Sequence, residues 1–287
     1  MDNFKNTLKK QVPFFFGSLS FIWQCLFFYL PLIFILIFSF IQLKNGHLSS
    51  IFTLEYYQAL FQFFYFKIIF KSLILALFIA CTCLLIAYPV TYFITMRTGK
   101  FKIFFLFLLI VPFWTNFLLH VYSWFFVLER NGFLNTLFLK LGLISEPIHF
   151  LNSMFAVIIV MIYCYLPFAV LPLYSILEKF DRKLIEASLD LGASNWQTFK
   201  LVTLPLTMEG IRSGFFLVFV PSFGEFVIPD LVGGSKSMFV GSVISHFTLG
   251  ANTINYGAAF TMISSIILVF MLFVIFKTLR HYGKTGQ

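Results

Sequence analysis

LIEASLDLGASNWQTFKLVTLP, from Leu184 to Pro205, is the one long polar stretch inside an otherwise apolar chain. Asp181 stands where its carboxylate can accept from an unpaired amide of a first short helix over Lys183 to Leu191. Gly192 follows, and glycine takes the left-handed backbone of a helix C-terminus without a Cβ penalty. Ser194 with Gln197 three residues later makes a capping box. A second helix is therefore expected from Asn195 to about Thr203, ended by Pro205. The unit reads as helix, turn, helix.

Outward from this unit the chain is hydrocarbon. Its 287 residues are 60% hydrophobic, 21% aromatic and only 11% charged, outside the range of a soluble domain. A bilayer core needs about 20 apolar residues per spanning helix. Six such runs fit: 19–41, 68–95, 103–127, 154–177, 211–231 and 256–276, with 178–210 as the polar loop. The fold class is all-α, a polytopic membrane protein with about six transmembrane helices, and the chain reads as one domain over 1–287. The first run is too long for a signal-peptide core and lacks an A-x-A-like site, so it is expected to remain as a span. An interfacial aromatic segment is expected around Tyr56 to Phe66.

The net charge of +9 does not point to nucleic acid, because the basic residues are scattered over the loops. They act as topology signals. Fourteen Lys and Arg fall on one side: Lys5, Lys9 and Lys10; Arg97, Lys100 and Lys102; five between Lys179 and Arg212; and three after the last run. Six fall on the other: Lys44, Lys67, Lys71, Arg130, Lys140 and Lys236. The positive-inside rule then places both termini and the 178–210 loop in the cytoplasm.

No G-x-x-x-x-G-K-[ST] loop occurs, so the chain does not bind and hydrolyse ATP as a P-loop enzyme does. Cys25, Cys81, Cys83 and Cys164 fall in apolar runs and lack the paired Cys or His of a metal site, so they are read as small buried side chains. His120, His149 and His246 are scattered, which argues against a membrane enzyme. The absence of an internal repeat argues against an ion-coupled secondary transporter. Asn116 and His120, inside the third run, are expected to bond another helix.

Glu186-Ala187-Ser188, then Gly192, then Val202-x-Leu204-Pro205 after nine residues, resembles the EAA loop of ABC-importer permeases, E-A-A, three residues, G, nine residues, I-x-L-P. Ser188 replaces the second alanine and Val202 the isoleucine, both modest changes in volume. The resemblance implies that the loop docks on a separate ATPase subunit, with Glu186, Ala187, Gly192, Leu204 and Pro205 at the contact. Trp196 is either an anchor for that partner or packs back on its own chain.

A second informative stretch is PSFGEFVIPDLVGG, Pro221 to Gly234. A carboxylate in mid-membrane costs roughly 2.5–3.5 kcal/mol, so Glu225 and Asp230 are expected to face protein or a water cavity. Pro221, Gly224 and Pro229 break the helix around them, as backbone lining a cavity does. Both acids are candidate pathway residues for a cationic solute. Alternatively Glu225 pairs with a basic or polar group in the bundle and Asp230 caps a helix or sits at the outer interface. Gly210-x-x-x-Gly214 can bring the fifth run close to another helix.

From Pro172 to Phe247 the chain looks like the permeases of spermidine/putrescine ABC importers, PSFGEFVIPDLVGG most of all. This implies inward movement of polyamine across the bacterial inner membrane. It also implies ATPase subunits, a second permease and an extracytoplasmic solute-binding protein as partners. ATP and Mg would sit on the ATPase and no cofactor on this chain. Permeases for iron, thiamine, phosphonate and opines share the loop, so the solute stays open among them.

Overall fold

The computed structural model describes residues 20–44, 47–234, 238–250 and 253–284. Lys5, Lys9, Lys10 and Lys236 of the charge map lie outside them. In chain order the elements are α1 Ser20–Phe40, strands β1 Ile41–Lys44 and β2 His47–Phe52, α2 Glu55–Leu60 and α3 Phe63–Arg97. Then come α4 Lys102–Ile110, α5 Phe117–Leu128, α6 Phe133–Lys140 and α7 Met154–Leu177. The chain closes with α8 Lys183–Asp190, α9 Asn195–Leu206, α10 Met208–Gly224, α11 Val227–Val232, α12 Val240–Ser245 and α13 Ile254–Lys284.

Among the described residues, four helices are long and apolar enough to cross a membrane: Ser20–Phe40, Phe63–Arg97, Met154–Leu177 and Ile254–Leu279. They match the first, second, fourth and sixth expected runs. Helix α3 has 35 residues. At a rise of about 1.5 Å per residue it extends roughly 50 Å, well beyond a hydrocarbon core of about 30 Å. Pro89 lies within this helix.

The other two runs are broken. In the third, α4 stops at Ile110, a 3₁₀ turn covers Val111–Trp114, and α5 restarts at Phe117. Asn116 explains the restart, since its side chain accepts from the Leu118 amide at 2.8 Å and so caps α5. His120 bonds Thr115, one turn back on the same segment. Neither residue makes the helix-to-helix bond expected of it. In the fifth run α10 ends at Gly224 and α11 follows after Glu225 and Phe226.

The fold is all-α, as expected, with one hairpin besides, in which β1 pairs antiparallel with β2 through Ile41 to Phe52 and Lys44 to His47. Between the paired ends the sequence is Asn45-Gly46, the dipeptide that most favours a two-residue hairpin connection.

The described residues divide into two compact units, one drawn from Met1–Gln62 and Ile244–Ile266, the other from Phe63–Val243 and Ile267–Gln287. In the first, buried Asn255 donates to the carbonyls of Phe38 and Ile41, at 2.8 and 2.5 Å, and so satisfies the last acceptors of α1. The second is built on α3, α7 and α10. Ala76, Ile79, Ala80, Cys83 and Ala87 of α3 are fully buried, as are Val157, Val160 and Met161 of α7 and Val218 of α10. Small side chains let the backbones approach. A Cβ at Gly210 or Gly214 would lie 3.2 Å from the Pro172 carbonyl or 3.1 Å from that of Ala169, so the G-x-x-x-G pair seats α10 on α7.

Candidate functional site

The 178–210 loop is held by its own side chains. Asp181 accepts from the Lys183 amide at 3.0 Å and starts α8, although the residue flanking the helix is Arg182. At the other end Gly192 takes φ +84°, its N–H reaches the Leu189 carbonyl at 2.9 Å, and the Ala193 N–H reaches that of Ser188 at 3.1 Å. Together these form a complete Schellman closure. Ser194 and Gln197 then cap each other reciprocally, at 3.3 and 2.8 Å. Ser188, the departure from the second alanine, bonds the buried Thr198 hydroxyl at 3.0 Å and braces α8 against α9.

Pro205 does not end α9. A π turn over Phe199–Thr203 lets the Leu204 N–H reach back five residues to Phe199. The widened turn spares the proline ring the clash with the preceding carbonyl row. The same device precedes Pro31 in α1, where the Leu30 N–H reaches Cys25. The break falls instead at Thr207, where α9 and α10 meet at 64°.

Of the residues expected at the contact, Glu186 and Ala187 are exposed and Leu204 and Pro205 half-buried. Trp196 is 69% exposed and stacks on Phe199, so it does not pack back into the bundle. Leu191 and Leu201 are also exposed, at 90% and 68%. Exposed large apolar side chains on a capped unit suit burial by a partner.

Three contacts tie the loop to its neighbours. Arg182 Nη2 donates to the Thr95 carbonyl at the end of α3, at 2.6 Å. Tyr88 of α3 bonds the Thr207 hydroxyl at the bend, at 2.9 Å. Lys102 Nζ meets Glu178 Oε1 at 2.7 Å, linking the starts of α4 and of the loop. This hydrogen bond holds the Glu178 carboxyl below its ordinary value and Lys102 above its own.

The second candidate region is the break in the fifth run. Glu225 is extended, with φ −65° and ψ 129°. Its Oε1 accepts from the amides of Val227 and Ile228, at 2.8 and 3.3 Å, so it caps α11. Its Oε2 accepts from the Tyr165 hydroxyl of α7 at 2.5 Å. Tyr165 lines a cavity of about 250 Å³ with Phe113, Thr115, Phe117, His120, Cys164 and Phe168. A second cavity of about 380 Å³ shares Thr115 and His120 and adds Trp124 and Tyr163. Asp230 is exposed and accepts from Ser242 of α12 at 2.7 Å, apart from both linings. The structure thus assembles the loop residues in one unit, and at the break it sets Glu225 against Tyr165 of α7 and Asp230 against Ser242 of α12.

A family described as "Binding-protein-dependent transport system inner membrane component" matches residues 87–280, both candidate regions included. The chain belongs to this family. The inner membrane component is 40% identical over 263 residues to the spermidine/putrescine transport system permease protein PotB of Escherichia coli (strain K12), covering 91% of this chain and 96% of that one. With PotB of Haemophilus influenzae it shares 37% over 261 residues, 91% of each chain. Its fold matches a bacterial alginate ABC transporter solved with an alginate pentasaccharide-bound periplasmic protein, at TM-score 0.72, 16% identity and coverage of 98% and 99%. The inner membrane component is therefore a multi-pass ABC transporter permease subunit.

Sequence reasoning about this permease missed Gly241. A Cβ there would overlap the Gly224 carbonyl oxygen and stand 2.9 Å from the Glu225 backbone, so α12 lies directly on the break. Nothing in Val240-Gly-Ser-Val signals that contact. Tyr165 was missed likewise, being one aromatic in an aromatic-rich span until its carboxylate partner is placed.

Proposed function

We propose that this subunit moves spermidine or putrescine inward across the cytoplasmic membrane without catalysing a reaction itself. The observation that carries the reading is the 40% identity to PotB over 91% of the chain. A second permease chain would complete the pathway, two ATPase subunits carrying ATP and Mg would drive it, and a solute-binding protein would deliver polyamine from outside. Both termini and the 178–210 loop face the cytoplasm in this reading, supported by the Lys and Arg asymmetry.

The loop geometry suits the transmission of force. Closure of the ATPases displaces the Glu186–Pro205 unit as a rigid piece, because its caps and the Ser188–Thr198 brace fix its shape. Arg182 and Tyr88 then carry the displacement to α3 through Thr95 and Thr207. The test is uptake of labelled putrescine and spermidine in cells lacking this chain, complemented by it, with and without ATP depletion. ATP-dependent uptake restored by the chain supports the reading. If neither polyamine depends on it, the reading falls and iron, thiamine, phosphonate and opines become the solutes to assay.

A further inference from the structure

We propose that the cavity walled by Phe113, Thr115, His120, Cys164, Tyr165 and Phe168, with the Glu225 carboxylate behind Tyr165, is a binding subsite for an organic ammonium ion. That the ion is one end of a transported polyamine rests on the function proposed above. The cationic character of the site does not.

Charge comes first. Among the described residues the ion pair is Lys102 with Glu178, so Glu225 is met only by neutral donors, the Tyr165 hydroxyl and two amides. Its charge is held in place without being neutralised. The Tyr165 proton is committed to the carboxylate, which leaves the phenol oxygen as an acceptor toward the cavity it lines. Hydrogen bonds in a chain polarise one another, so this oxygen carries part of the carboxylate's negative potential into the cavity. Thr115 and His120, bonded to each other, add polar atoms on another wall.

Apart from Cys164, the rest of the wall is aromatic. Phe113 and Phe168 meet edge to face at 4.9 Å, and Tyr165 lies 6.1 Å from Phe168. Ring faces attract a desolvated ammonium through their quadrupole. An anion would meet the same faces and the same carboxylate as repulsion. A neutral sugar would find few donors. The adjoining cavity shares Thr115 and His120 and offers Trp124 and Tyr163, which suits a solute carrying a second amine along a flexible chain.

The cap supplies a clean test. Glu225→Gln keeps a carbonyl oxygen for the Val227 and Ile228 amides and removes the charge, its amide nitrogen donating to the Tyr165 oxygen where the second carboxylate oxygen had accepted. Equilibrium binding of labelled putrescine is measured on the assembled transporter in lipid nanodiscs, without the solute-binding protein, beside uptake in complemented cells. The expected result is a Kd raised at least 10-fold by Glu225→Gln, at normal yield of assembled complex. Tyr165→Phe, which keeps the ring and the α11 cap, is expected to raise it several-fold and decides the matter if the first variant assembles poorly. Variants that bind and transport like the unaltered chain overturn the subsite and leave polyamine transport standing. Putrescine bound in a Glu225-dependent way by a transporter whose loss leaves polyamine uptake intact keeps the subsite and removes the polyamine reading. An unaltered complex that neither binds nor transports overturns both.

Discussion

The loop at Gly192 and the break at Glu225 both interrupt helices, yet by opposite means. At the loop the turn itself is shaped by residues near in sequence, Asp181 to Lys183, Ser194 to Gln197, Ser188 to Thr198, and distant partners hold only its edges, at Glu178, Arg182 and Thr207. At the break the local bonds of Glu225 to the Val227 and Ile228 amides are joined by restraints from far along the chain, with Tyr165 sixty residues away holding the carboxylate and Gly241 pressed on the Gly224 carbonyl. A locally written interruption keeps its shape while it moves. A distantly written one changes as soon as its neighbours do. That difference fits a part that transmits motion and a part that must open.

The sharpest contrast is between two glycines. Gly241→Ala places a methyl carbon against backbone, so α12 must shift, and we expect several-fold less assembled protein and lost uptake. At Gly192 a Cβ meets nothing within 4 Å. The penalty there is the left-handed backbone alone, about 1–2 kcal/mol. Gly192→Asp should therefore insert at normal levels and still lose uptake. Immunoblots beside uptake assays separate the two, and equal protein levels would erase the distinction. Next in size, Glu225→Ala removes the α11 cap and should cost about 0.5–2 kcal/mol, seen as a lower melting temperature of the purified transporter that Glu225→Gln does not share. Equal melting of the two variants would mean that the cap contributes nothing.

Ser188→Ala restores the alanine of the EAA pattern but strips the buried Thr198 hydroxyl of its partner. Losing such a bond costs about 1 kcal/mol. Uptake should fall modestly and recover with Ser188→Thr. Wild-type uptake in Ser188→Ala would show the brace to be dispensable. The smallest effect belongs to the exposed Lys102–Glu178 pair. Glu178 is held below its ordinary value of 4.5, so its contribution is present above that value and fades as pH falls through the lowered one. Lys102 is held above 10.5, so its contribution is present below that value and fades as pH rises through the raised one. Between them, stability should be indifferent to pH on this account. A melting temperature that Lys102→Met alters differently at pH 6 and pH 8 would contradict it.

This division also decides what was legible in the sequence. The loop could be read because its caps, turn and brace use neighbouring residues, and four spans because hydropathy alone delimits them. Pro205 misled because a proline is read as a stop, whereas the π turn before it accommodates the missing N–H. The third run looked continuous because Asn116 reads as a polar intruder in a span, when it is the cap that restarts one. The hairpin had a readable signal in Asn45-Gly46, overlooked beside the apolar residues around it. Glu225 could be flagged by the cost of a buried charge, but not its partner, since nothing local distinguishes Tyr165 from the other tyrosines.

The π turn over Phe199–Thr203 carries one residue more than an α-helical turn would use. That residue is taken up within the turn, so deleting one of the five would return the segment to a regular helix with Thr207 still near Tyr88. What would be lost is the room made for Pro205, whose ring would then meet the carbonyl four residues back at a cost of about 3 kcal/mol. The extra residue and the proline are thus one feature. Removing either alone should be tolerated less well than removing both.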